Sequence, residues 1–82
     1  MSARVIIGQH PYARARIVQA RRGLWMVDVC VAATKVQIGK GTSGDEAGAK
    51  WLARRIANKH MAVAAPQFQQ RRWLWRVKVW ED

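Results

Sequence analysis

Two stretches of the chain read alike. Arg21–Cys30 (RRGLWMVDVC) and Arg71–Trp80 (RRWLWRVKVW) both spell Arg-Arg-x-Leu-Trp-x-Val-x-Val, and Gln19 and Gln69 match just upstream. Apolar residues alternating with polar or charged ones follow the period of a β-strand, whose successive side chains point to opposite faces. In the first copy Trp25, Val27, Val29 and Val31 share one face, and Leu24, Met26, Asp28 and Cys30 the other. In the second, Trp73, Trp75, Val77 and Val79 face one way, with Arg72, Leu74, Arg76, Lys78 and Trp80 opposite. Each strand thus has an apolar side that must be covered, and in the second copy the other side is largely basic and need not be. Trp73 stands where the first copy has Gly23, so the turns leading into the two strands differ.

The rest of the chain supplies the partners. Ser2–Gly8 reads as a short edge strand or an ordered arm. It ends at His10-Pro11, because proline lacks an N–H and biases the preceding residue toward extended geometry. Arg14–Ala20 alternates again, with Arg14, Arg16 and Val18 on one side and Ala15, Ile17 and Gln19 on the other. Arg21-Arg22-Gly23 is a hairpin turn in which glycine can take positive φ. After Leu24–Ala32 and a turn near Ala33-Thr34, Lys35–Ile38 places Val36 and Ile38 inward, completing a three-stranded meander.

Gly39–Gly44 reads as a loop before a helix, Ser43–Ala62, that must stop before Pro66. Ser43 and Glu46 have capping-box spacing, and Asp45 and Glu46 suit the positive end of the helix dipole. At 100° per residue, Ala49, Leu52, Ala53, Ile56, His60 and Val63 form the stripe that would cover the sheet. Lys50, Trp51, Arg54, Arg55 and Asn58 lie opposite. Gln67–Gln70 is a polar spacer or short strand around Phe68. The expected core is Trp25, Val27, Val29, Val31, Val36, Ile38, Leu52, Ile56, Trp75, Val77 and Val79. The fold class is therefore α+β: one domain over residues 1–82, an antiparallel sheet of four to six strands, and one helix on one face. The C-terminal strand falls at an edge, where pairing of two copies would give a two-fold homodimer.

Charge narrows the function. Fifteen Lys and Arg against five Asp and Glu give a net charge of +10, and ten of the fifteen are Arg. A positive field of this size attracts nucleic acid, acidic protein surfaces or anionic lipid, and the guanidinium fork suits phosphate and carboxylate. Half of the residues are hydrophobic, which is incompatible with a disordered polybasic tail. No window approaches the apolar length of a membrane span. Cys30 is the only cysteine, so no intrachain disulfide forms, and a cytoplasmic setting is expected.

Catalysis finds no support. His10 and His60 are the only histidines; there is no pair of carboxylates placed for acid–base work, no metal-ligand spacing, and no cofactor motif. The GKGTSG run is not a phosphate loop, since Lys40 precedes Gly41 and Asp45 and Glu46 would repel phosphate at the helix start.

From Leu24 to Asn58, the strand-then-helix order, the Gly-x-x-Thr/Ser start and the helix containing Glu46-Ala47 and Trp51-Leu52 resemble the AP2-type domains at the N-termini of phage integrases. That resemblance implies a three-stranded sheet laid against duplex DNA, with Arg14, Arg16, Arg22, Met26, Asp28, Lys35 and Gln37 toward the nucleic acid. Gly39-Lys-Gly-Thr-Ser43 with Ala47 also resembles the double-stranded RNA-binding domain, although Gly44 and Asp45 stand where that family has lysines. In size, charge and tryptophan content the chain is similar to small phage or mobile-element proteins.

The expected function is non-enzymatic binding of nucleic acid, duplex DNA first, through Arg14, Arg16, Arg22, Arg72, Arg76 and Lys78 on strands and Arg54 and Arg55 on the helix. Trp51 and Trp80 are candidates for base stacking or a protein interface. The alternative is a small adaptor or inhibitor docking on an acidic partner protein.

Overall fold

The computed structural model describes the backbone of residues 2–69 and 72–81 and the side chains of 4–69 and 72–78. Arg71 and the side chains of Val79 and Trp80 lie outside the described residues. Five strands and one long helix follow in the order β1 (Ser2–Gln9), β2 (Ala13–Arg21), β3 (Leu24–Val31), β4 (Gln37–Ser43), α1 (Glu46–Ala64) and β5 (Leu74–Glu81). A 3-10 turn, Pro66–Phe68, lies between α1 and β5. All neighbouring strands are antiparallel, in the spatial order β4-β3-β2-β1-β5. The expected α+β sheet with one helix on one face is the architecture found. No helix among the described residues is long and apolar enough to cross a membrane.

The two related stretches take different roles. The first is a hairpin: Arg22-Gly23 form the turn between β2 and β3, with Gly23 at φ 77. The second is a single edge strand entered from the 3-10 turn, which replaces the spacer or short strand expected around Phe68. β1 is not an edge strand or an arm. It pairs with β2 on one side and β5 on the other, and Val5 and Ile6 are fully buried.

β4 also differs from expectation. The turn after β3 includes Lys35 at φ 61 and leaves Val36 62% exposed, so the strand begins at Gln37 and runs through the glycines to Ser43. Gly39 and Gly41 are strand residues facing the helix. A Cβ on Gly39 would come within 2.9 Å of Ile56 Cγ2, and one on Gly41 within 2.8 Å of Leu52 Cδ2. They are glycine because the helix comes this close.

Ser43 ends β4, paired with Trp25, and so cannot start the helix. The N-cap is Asp45, whose carboxylate accepts from the Gly48 N–H at 2.6 Å. Glu46, freed from a capping box, pairs with Arg4 at 3.2 Å and Lys50 at 3.4 Å. These contacts are partly exposed and add little stability, but they tie the helix start to β1. The buried stripe is Ala49, Ala53, Ala57 and Met61, rotated from the expected one. Alanine at every fourth position lets the helix backbone settle close on β2 and β3, while Leu52 and Ile56 are half-buried over β4. His60 is exposed and bonded through Nδ1 to the Tyr12 hydroxyl at 2.7 Å. Val63 is 88% exposed.

The core holds Ile6, Ile17, Val29, Trp25 and Val27 beneath that stripe. Each such aliphatic side chain contributes about 1.5–3 kcal/mol by leaving water. The helix packs chiefly on β4 and β3 and less on β2, and meets β1 through Glu46 and β5 through Arg54. On those last two strands indoles supply the cover. Trp75 lies directly on Gly8, where a Cβ would sit 2.1 Å from its ring. Trp73 stacks on Trp75 at 5.3 Å and 15°, and the Arg54 guanidinium stands 5.3 Å from the Trp75 ring centre. Val77 has no such cover and is 46% exposed rather than core.

Candidate nucleic-acid interface

The opposite face of the sheet carries no helix, and the strand registers fix what stands on it. One row across the strands, from β5 to β4, is Lys78, Val5, Val18, Met26 and Thr42. The next is Arg76, Ile7, Arg16, Asp28 and Lys40, and the third is Leu74, Gln9, Arg14, Cys30 and Gln37. Cations therefore occupy alternate strands: Arg76 and Lys78 on β5, Arg14 and Arg16 on β2, Lys40 on β4. Strands lie about 4.8 Å apart, so the cation columns are roughly 9.6 Å apart.

Between the first two columns runs β1, which shows no charge on this face. Val5 is fully buried and Ile7 is 7% exposed, although no helix lies over them. Arg16 and Arg76 flank Ile7 in the ladder, and Val18 and Lys78 flank Val5. The aliphatic stems of long cationic side chains cover apolar neighbours while their heads stay in water. The apolar residues of β1 on this face are thus covered and flanked on both sides by cations.

Asp28 is the only acidic residue of the three rows. It stands directly between Arg16 and Lys40 and accepts a hydrogen bond from Gln37 Nε2 at 2.7 Å. A carboxylate in that place offsets the mutual repulsion of the two cations across the sheet.

The sequence-derived candidates divide into three groups. Arg14, Arg16, Arg76 and Lys78 come together on the open face, all exposed. Arg22 is exposed at the β2–β3 turn, at one end of that face, and Arg72 is exposed just ahead of β5 at the other. Arg54 and Arg55 are not part of it. They belong to the helix on the other side of the sheet, where Arg54 covers Trp75 and Arg55 stands 5.2 Å over the Trp51 ring. Trp51 is 60% exposed there, away from the open face. The Trp80 backbone pairs with Ala3, and its side chain lies outside the described residues.

Lys40, in the GKGTSG run, belongs to β4 rather than to a loop. The glycine–lysine–glycine spacing has the period of a strand, but glycines carry no apolar signal to reveal it. Lys35, beside the β3–β4 turn, lines a hollow of about 250 Å³ with Ile7, Arg14 and Cys30 on the same face. Among the described residues no group of three His, Cys, Asp or Glu is placed to hold a metal ion.

No family model, curated protein or solved structure matches this chain.

Proposed function

We propose that the chain is a non-enzymatic nucleic-acid-binding protein that lays its open sheet face on duplex DNA. The observation carrying this reading is the pair of cation columns, Arg14 with Arg16 and Arg76 with Lys78, on either side of β1, which shows no charge on that face. The guanidinium and ammonium groups of these columns bind phosphate with charge-assisted hydrogen bonds. Five strands span about 19 Å from β4 to β5. That is wider than a major groove of about 12 Å, so the flat face bridges phosphate ridges and reads few base edges. The resemblance to AP2-type modules points to the same class of ligand.

Binding of this kind releases counterions, and log K falls with log salt by about 0.9 per phosphate neutralised. Arg14→Ala with Arg76→Ala is expected to reduce that slope by about 1.8 on unrelated duplex sequences alike, measured by fluorescence anisotropy across a salt series. Arg55→Ala, on the helix side, is expected to leave the slope unchanged. Absence of binding to any duplex at low salt sinks the proposal, as does an equal effect of the helix-side variant.

The second reading is an acidic partner protein docked on the helix, favoured by the exposed Trp51 and its stacked Arg55. Trp and Arg in contact are typical anchors of protein interfaces. A partner retained after nuclease treatment, and lost with Trp51→Ala, distinguishes this reading from the first.

A further inference from the structure

The connection from β3 to β4 breaks a local rule. Among the described residues Lys35 is the only one other than glycine at positive φ, at 61. Its N–H donates to the Val31 carbonyl at 2.8 Å, and the Val31 N–H donates to the Val36 carbonyl at 2.9 Å. The chain therefore closes through a left-handed residue. Glycine takes that conformation freely, whereas the Cβ of lysine crowds the following carbonyl. Lys35 is exposed, and among the described residues no ion pair compensates it. Strain kept at such a residue points to what its side chain does. The pairing of β3 with β4 also slips here, between Val29 and Cys30, with Ile38 as the extra residue. Bulges of this kind re-aim the chain and recur beside functional sites.

The Lys35 side chain reaches the open face. It lines the hollow of about 250 Å³ together with Arg14, Arg16, Asp28, Cys30 and Ile7. Arg16 and Asp28 stand opposite each other in the ladder and offset each other's charge, and Asp28 also accepts from Gln37. Arg14 stands opposite Cys30, one row nearer the turn. Arg14 and Lys35 are thus two exposed cations on one hollow, and neither is ion-paired to a described residue.

We infer that Lys35 and Arg14 together seat one phosphodiester group of the bound duplex, and that the left-handed turn holds the ammonium there. Resting on the DNA-binding reading, this seat adds to it a contact from outside the strands. A phosphodiester shares its negative charge between its non-bridging oxygens. Arg14 offers them a planar fork of donors, and Lys35 a compact charge. With both cations on the same group, loss of either one frees that phosphate, so the two losses do not add.

Fluorescence anisotropy on duplex DNA across a salt series, with urea unfolding of the same variants, tests the seat. Lys35→Gly removes the charge and relieves the turn. It is expected to lower the slope of log K against log salt by about 0.9, with a urea midpoint no lower than that of the original protein. Lys35→Arg keeps the charge and is expected to keep the slope. Lys35→Gly combined with Arg14→Ala is expected to lower the slope by about 0.9 in all, where independent contacts would lower it by about 1.8.

A slope unchanged by Lys35→Gly overturns the inference, and so does an additive loss in the double variant, which assigns the two cations to separate phosphates. A urea midpoint that falls with Lys35→Gly overturns it too, because the lysine then serves the turn and not the ligand. In each of these cases the DNA-binding reading stands if Arg14→Ala with Arg76→Ala still lowers the slope. If no duplex binds at low salt, both fail.

Discussion

Gly8→Ala tests whether the far half of the sheet is covered by an indole instead of a helix. A Cβ at residue 8 would sit 2.1, 2.5 and 2.6 Å from three carbons of the Trp75 ring. Carbon contacts settle near 3.5 Å, so the ring must retreat by roughly 1.4 Å. It cannot do so freely, since Trp73 stacks beside it and Arg54 stands over it. Tipping the ring outward re-exposes about a third of a Trp surface of roughly 200 Å². At about 25 cal/mol per Å² that amounts to roughly 1.7 kcal/mol. Alanine recovers about 0.5–1 kcal/mol relative to glycine in a strand. The net loss is about 1 kcal/mol, within the usual range for overpacked sites.

Urea unfolding followed by circular dichroism measures this. With a slope near 1 kcal/mol per molar for a small domain, the midpoint falls by about 1 M. In a Trp75→Val background the ring is absent and the same substitution is expected to be neutral or mildly stabilising, giving a coupling between residues 8 and 75. A neutral or stabilising Gly8→Ala in the original background refutes the placement of Trp75 on β1.

Two further substitutions check local structure by the same unfolding assay. Asp45→Ala removes the helix N-cap and is expected to cost about 1 kcal/mol; Ser43→Ala is expected to cost clearly less, and the reverse order would restore the capping box. Gly23→Ala places a Cβ at φ 77 in the β2–β3 turn and is expected to cost about 1–2 kcal/mol, with no loss if the turn relaxes to negative φ.

The open-face site was largely legible because parity is a local property. Once Arg14, Arg16, Arg76 and Lys78 are assigned to strands, the alternation with Ala15, Ile17, Trp75 and Val77 places them on the uncovered side. Charge alone groups Arg54 and Arg55 with them. Only packing shows that they stand behind the sheet, with Arg54 committed to Trp75. Lys40 was hidden because glycine gives no sign of which face it occupies until the helix above it is known.

Whatever rests on neighbours in the chain is fixed locally. Period two made the strands, alanine-rich helix propensity and Pro66 bounded the helix, and Gly23 made the turn. Tertiary structure decided which strands are neighbours, and with that the rest. β1 became interior by pairing with β5 from the far end of the chain. The helix took the alanine stripe over the expected one because close approach to β2 and β3 rewards small side chains. The two Arg-Arg-x-Leu-Trp stretches, nearly identical in pattern, ended as an interior strand under the helix and an edge strand covered by its own indoles. The difference lies in what covers them, which no local pattern encodes.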